Sequence, residues 1–310
     1  MSKRRNAMSE PAFFEHAHRR QDLVSTKRLV ERLGRPDIAV VDASVSKRLE
    51  NDDIWLSDRA AFEAGHIPGA RFADLVSDFS DPEERFAFTR PTASRLASAA
   101  GAIGLTNTQE IIVYDNSSGI WAARLWWLFR AFGHDKVSVL DGGLTAWLAE
   151  SGPVERGPST FEPTHFAASE RPGFFVDRDE VLAIVEGRAR GRLVCVLRPS
   201  VFAGAEQRYS RPGHIPSSVN LPYVELLGPD NRLLPESALR NALAPLVAGD
   251  ERVILYCGGG VTAAGTALVL MLLGAGNISV YDWSLSEWSA DLSLPMVADF
   301  DPSLKPSRSA

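Results

Sequence analysis

The chain has 310 residues, 45% of them hydrophobic, with a formal net charge of −6. That length exceeds the ~100–200 residues of one domain, and the apolar content suffices for two cores. An acidic balance without a basic stripe disfavours a nucleic-acid partner, and no apolar run approaches the ~20 residues of a membrane span.

In chain order, residues 1–20 are charged and aperiodic and read as a loose tail without a signal core. Leu23, Leu29, Val30 and Leu33 predict a helix over Asp22–Leu33, stopped by Gly34. Ile38–Val41 reads as a short buried strand, followed by a long polar loop to Arg59. Helical and strand patterns then alternate up to Trp147, which argues for parallel sheets flanked by helices. Gly152, Pro153, Gly157, Pro158, Pro163 and Pro172 punctuate a stretch without periodicity, expected to be a linker. The pattern restarts at Phe175, with a helix near Arg178–Glu186 and a strand at Leu193–Leu197. Val253–Tyr256 reads as a strand and Ala263–Leu273 as an apolar helix. The expected division is a tail over 1–20, a domain over 21–150, a linker over 151–174, a second domain over 175–294 and a tail over 295–310.

Much of the chain occurs twice. Gly65-His66-Ile67-Pro68 returns as Gly213-His214-Ile215-Pro216, and Ile111–Tyr114 returns as Val253–Tyr256. Val139-Leu140-Asp141 with Trp147 returns as Val280-Tyr281-Asp282 with Trp288. The order is kept and the unit exceeds the ~50 residues of a solenoid repeat, so each half is expected to be a complete domain.

Duplication is an internal control. Features present in both halves read as scaffold; a feature of one half is a candidate for chemistry. Cys257 belongs to one half only, because Asp115 stands at its place in the first. It follows a strand and precedes Gly258-Gly259-Gly260-Val261-Thr262 and a helix. Glycines allow successive amides to point into one concavity, and a helix N-terminus adds partial positive charge. Both favour a thiolate, so Cys257 is expected to be a nucleophile. The alternative is a buried cysteine before a tight turn. Cys195 and Cys257 lie in strand-like segments and do not form a secreted disulfide framework.

These motifs resemble the rhodanese superfamily, in particular the two-domain sulfurtransferases acting on 3-mercaptopyruvate or thiosulfate. The resemblance runs from about Leu23 to Leu294. It rests on Val40–Ser44, Gly65–Ala70, Arg124–Trp127, Phe132–Asp135 and Val139–Leu144 with Ala146-Trp147. In the second half it rests on Gly213–Pro216, Cys257–Ala263, and Tyr281-Asp282 with Glu287-Trp288. It implies two tandem α/β domains, each a parallel sheet of about five strands flanked by helices on both faces, the first catalytically inactive. It implies a Cys257 persulfide formed from 3-mercaptopyruvate and passed to a thiol or cyanide, without cofactor or metal. The acceptor would be thioredoxin or a low-molecular-weight thiol. Thiosulfate as donor, or a non-catalytic persulfide carrier that docks partners, are the alternatives. A cytoplasmic protein with neither nucleic-acid nor membrane partner is expected.

The resemblance also places substrate-binding roles on Arg208, Arg211, His66 and Asp58. Arginine forks suit an anionic donor; His66, having a twin, equally reads as scaffold. No basic residue lies between Cys257 and Ala264, which argues against phosphate chemistry and for a singly charged donor. Four positions depart from the family pattern: Gly259 lacks a hydroxyl, Cys195 replaces an aspartate, Trp283 a glycine and Leu285 a tryptophan.

Overall fold

The computed structural model describes residues 22–48, 54–247 and 249–299. The expected tail over 1–20 and residues 300–310 of the C-terminal tail lie outside the described residues. In the first half, chain order is β1 (Leu23–Val24), α1 (Thr26–Val30), β2 (Ile38–Asp42), β3 (Val45–Arg48), β4 (Ile54–Ser57), α2 (Arg59–Ala64) and β5 (Arg71–Phe72). It continues through α3 (Ala93–Ala102), β6 (Glu110–Tyr114), α4 (Ile120–Ala131), β7 (Val137–Leu140) and α5 (Gly143–Ala149). The second half has β8 (Phe175–Val176), α6 (Arg178–Val185), β9 (Arg192–Cys195), α7 (Pro199–Phe202), β10 (Val219–Asn220) and α8 (Glu236–Val247). It ends with β11 (Val253–Tyr256), α9 (Val261–Leu273), β12 (Ile278–Tyr281) and α10 (Ser284–Trp288).

Two five-stranded parallel sheets result, ordered β1-β7-β6-β2-β5 and β8-β12-β11-β9-β10. Each strand thus has its counterpart at the same place in the other sheet, as the repeated motifs require. The strands β2, β6, β7, β11 and β12 read as near-continuous apolar runs because helices cover both faces of each sheet.

Helix α4 is buried from Trp121 to Ala131, and α9 is buried at every position but Thr262 and Leu272. A helix buried on nearly every face needs packing partners on nearly every face. These two satisfy the requirement by packing against each other, so one core runs through both halves.

Local chemistry corrects two expectations and adds contacts to a third. Leu23–Val24 does not open a helix but pairs with β7, and Ser25 caps the short α1 by accepting the Arg28 N–H. The polar stretch before Arg59 is not all loop, since β3 and β4 form an antiparallel pair. Its Trp55 ring packs edge-on against Phe88 and Trp121, with centroids at 5.6 and 5.2 Å. Residues 151–174 contain neither helix nor strand but do not hang free. Phe166 is buried, Trp147 Nε1 donates to the Pro153 carbonyl, and the Thr164 amide donates to the Gly101 carbonyl.

Asp42, at the end of β2, is buried, and that burial pushes its carboxyl up to about 6 against the opposing Ser44 amide bond at 2.8 Å. The folded value lies above the unfolded one of about 4, so the charged form destabilises. The penalty is absent below about pH 4, grows through the window and is complete above about pH 6. Asp42→Asn is therefore expected to raise unfolding free energy by about 1–3 kcal/mol at pH 7.5 and to leave it nearly unchanged at pH 4. Urea denaturation at the two pH values checks this; equal effects at both would contradict it.

Candidate functional site

At the C-terminal end of β11 the chain turns through Cys257, Gly258, Gly259 and Gly260 into α9. Ligand crevices of open α/β sheets occupy this end of the strands. Gly260 has φ +72°, and a Cβ there would lie 2.6 Å from the Asp282 carbonyl oxygen, so only glycine fits. The start of α10 holds the loop. The Cys257 N–H donates to Ser284 Oγ at 3.1 Å, and the Cys257 carbonyl accepts from the Leu285 N–H at 3.1 Å. The Gly258 carbonyl accepts from both the backbone N–H and Oγ of Ser286, at 2.9 and 2.7 Å. Ser284 has φ +47°, which is strained for a side chain, and its Oγ donates to the Tyr281 carbonyl at 2.6 Å. The hydroxyl bonds on both sides thus hold a conformation taken by Gly143 (φ +55°) in the first half. Trp283 stands where the first half has Gly142 and has an ordinary backbone (φ −81°), so the departure costs no strain.

The first half displays what such a loop binds. Asp115 follows β6, and Gly119 (φ +79°) starts α4 as Gly260 starts α9. The Asp115 carbonyl accepts from the Leu144 N–H at 2.9 Å, matching Cys257 and Leu285. The fully buried Asp115 carboxylate accepts four backbone N–H groups: Ser117 at 2.8 Å, Gly119 at 3.1 Å, and Trp121 and Ala122 at 3.0 Å. Burial pushes this carboxyl up, and the four amides pull against that push. The Cys257 loop has the same left-handed glycine before its helix, with one residue fewer before that glycine.

The first half also covers the Cys257 loop. Arg124 of α4 donates through Nη2 to Asp282 Oδ1 and to the Phe88 carbonyl, both at 2.6 Å, and the Arg90 N–H donates to Asp282 Oδ2 at 2.8 Å. Trp283 Nε1 donates to Thr89 Oγ1 at 2.7 Å. Cys257 is only 2% exposed beneath this cover, which restricts access to small reagents.

The expected site residues separate. Cys257 and residues 258–262 come together. Tyr209, from the loop that carries Arg208 and Arg211, joins them: a Cβ on Gly258 would lie 2.1 Å from its Oη. Arg208 is half exposed, with Nε on Glu206 at 2.5 Å and its Nη groups open among the described residues. Arg211 is corrected from substrate ligand to loop clamp. Its guanidinium donates to the Ser289, Leu294, Trp288 and Asp291 carbonyls at 2.6–2.9 Å. That uses four of the roughly five N–H donors an arginine has.

His66 stacks on Phe62 with centroids at 3.9 Å and donates from Nδ1 to the Phe62 carbonyl at 2.8 Å. His214 does the same on Phe202, at 3.7 and 2.8 Å. The shared ring stacking matches the reading of His66 as scaffold, while its buried Nε2 lies 3.9 Å from Glu155 Oε2, a carboxylate that His214, bridged to Val297, does not face. Asp58 caps the first-half loop, accepting from Asn116 Nδ2 at 2.9 Å, and so belongs to the Asp115 loop. Cys195 is fully buried, and burial pushes its thiol up to about 12. It faces Tyr256 as Asp42 faces Tyr114, and it behaves as a small hydrophobe.

Sequence reasoning missed Tyr209 and Arg124. The only signal for Tyr209 was its place between two arginines. Arg124 opens the Arg124–Trp127 motif, and an arginine in a largely apolar helix announces a buried partner, here Asp282. Among the described residues, no cluster of histidine, cysteine or carboxylate side chains could hold a metal, and no helix is long and apolar enough to cross a membrane.

Comparison with known proteins agrees with this geometry. A family model described as a rhodanese-like domain matches residues 25–150 and 203–291. 3-Mercaptopyruvate sulfurtransferase of Rattus norvegicus is 37% identical over 243 residues, covering 74% of this chain and 79% of that protein. Thiosulfate sulfurtransferase of Mus musculus is 33% identical over 286 residues, covering 86% and 91%. The crystal structure of the 3-mercaptopyruvate sulfotransferase SseA from Escherichia coli superposes with a TM-score of 0.76 at 29% identity, covering 86% of this chain and 100% of that one.

Removing one partner of a buried ion pair strands the other charge. Arg124→Met is therefore expected to lower unfolding free energy by about 3–5 kcal/mol, with Asp282 left unpaired. Urea denaturation tests this, and a loss below about 1 kcal/mol would show that the pair does not tie the halves together.

Proposed function

Because the chain belongs to the rhodanese family and is a sulfurtransferase, we propose that Cys257 is its nucleophile and 3-mercaptopyruvate its sulfur donor. The supporting observation is the pair of matched loops. In one half the frame surrounds a carboxylate with four amides; in the other a thiol stands at the carboxylate's place. A frame that accommodates a carboxylate suits a thiolate or persulfide anion for the same reason, namely converging N–H dipoles and the N-terminus of α9.

The cycle is ping-pong. The Cys257 thiolate attacks the donor sulfur, an S–S bond forms, and the C–S bond breaks. Its electron pair leaves as the pyruvate enolate, which takes a proton at carbon to give pyruvate. The Cys257 persulfide then passes its outer sulfur to a thiol, such as thioredoxin or a small thiol, or to cyanide. The loop has no cation between Cys257 and Ala264. That favours the singly charged carboxylate of 3-mercaptopyruvate over the double charge of thiosulfate. Arg208 has open Nη groups for that carboxylate. The first half, with Asp115 at the cysteine position, performs no sulfur transfer; it supplies the cover formed by residues 86–90.

Incubation with each donor, followed by intact mass and assay of pyruvate or sulfite, tests this. The expected result is one added sulfur on Cys257 and faster release of pyruvate than of sulfite. Cys257→Ala is expected to reduce turnover by about a thousandfold or more with the fold retained. Turnover surviving that change would reassign the nucleophile, and faster sulfite release would reassign the donor to thiosulfate.

A further inference from the structure

Gly259 leaves the loop without a hydroxyl, and a second residue stands where one could be supplied. A Cβ added to Gly259 would meet only the Ala87 carbonyl, at 3.5 Å, so nothing steric requires glycine there. Gly258 differs. A Cβ there would lie 2.1 Å from Tyr209 Oη and 2.9 Å from its Cζ, a separation that packed atoms do not reach. The phenol therefore occupies the space a side chain at 258 would need, against the backbone of the residue that follows the nucleophile.

The position of Tyr209 is built. Its ring packs against the core cluster that contains Cys195, Tyr256 and Leu285. Gln207 Nε2 donates to its backbone carbonyl at 3.2 Å. Two residues on, the Arg211 clamp fastens the loop to residues 288–294. Burial first, then the neighbouring charges of Cys257 and Cys195, push the phenol up, so it remains a proton donor throughout the working range. Among the described residues its hydroxyl has no hydrogen-bond partner, which leaves the O–H free for a bound molecule.

We infer that Tyr209 determines donor specificity: its hydroxyl, set against the Gly258 backbone, donates to the keto oxygen of an α-keto thiol acid. The inference rests on the sulfurtransferase reading of Cys257. As the C–S bond breaks, the electron pair moves to the carbon beside the carbonyl, and negative charge develops on the former keto oxygen. A fixed O–H aimed at that oxygen stabilises the transition state more than the bound donor. Tyr209 keeps its proton throughout; the proton that ends on carbon comes from the donor thiol by way of solvent. With thiosulfate the leaving group is sulfite and no enolate forms, so the same hydroxyl contributes little.

The test compares wild type, Tyr209→Phe, Gly259→Ser and the double variant Tyr209→Phe/Gly259→Ser in steady-state kinetics on both donors, with the Cys257 persulfide followed by mass. Tyr209→Phe keeps the ring and removes only the hydroxyl. It is expected to lower kcat/KM for 3-mercaptopyruvate about tenfold or more, mainly through kcat, and to change thiosulfate turnover less than about twofold. The double variant, whose serine restores a hydroxyl from the roomy position 259, is expected to recover most of that loss. Unchanged 3-mercaptopyruvate kinetics in Tyr209→Phe, or an equal loss on both donors without recovery, would overturn the inference while leaving the sulfurtransferase reading intact. A wild-type protein that accepts sulfur from neither donor would overturn both.

Discussion

Backbone N–H groups converging at a strand-to-helix junction are the interaction on which this molecule turns. Four of them close on the Asp115 carboxylate in the first half. The arrangement needs a left-handed residue just before the helix, which is why Gly119 and Gly260 stand where they do. It also needs an anion, since four inward-facing donors without an acceptor would be a desolvation penalty. The first half meets this need with its own side chain and so closes the position to anything else. The second half places the thiol of Cys257 at the matching position.

The Cys257 loop does not stand on its own domain alone. Helices α4 and α9 are buried on nearly all faces because each serves one sheet and the other helix at once. Arg124 crosses this contact to Asp282, directly below the cysteine loop, and residues 86–90 follow it over the top. The first half is therefore not redundant. It supplies a cation that balances Asp282, the wall that shields Cys257, and the aromatic packing of Trp55, Phe88 and Trp121 behind that wall.

The parts legible in the sequence are those governed by local rules or by repetition. The strand Val253–Tyr256 and the apolar helix ending at Leu273 declared themselves by hydrophobic runs, and the contrast of Asp115 with Cys257 needed only the repeat. The equal treatment of His66 and His214 was likewise foreseeable, because each stacks on a phenylalanine of its own half. What escaped depends on contacts far apart in sequence. β1 is two residues long and exists only because β7 offers it an edge. β3 and β4 are held by Trp55 reaching Phe88 and Trp121. Arg211 looked like an anion ligand, and only the path of residues 288–294 reveals that it caps carbonyls. Tyr209 carries no motif at all; its significance is its approach to Gly258, which only the folded loop makes visible.

The central claim is that the environment of Cys257 makes its sulfur a nucleophile while Cys195 stays an inert core atom. Site-resolved alkylation by a small thiol reagent at neutral pH, read by peptide mass against a free cysteine peptide, measures this directly. The account predicts that Cys257 reacts faster than the free peptide and that Cys195 remains unmodified in the folded protein. Alkylation of Cys257 no faster than the free peptide, or of Cys195 ahead of it, would contradict the account.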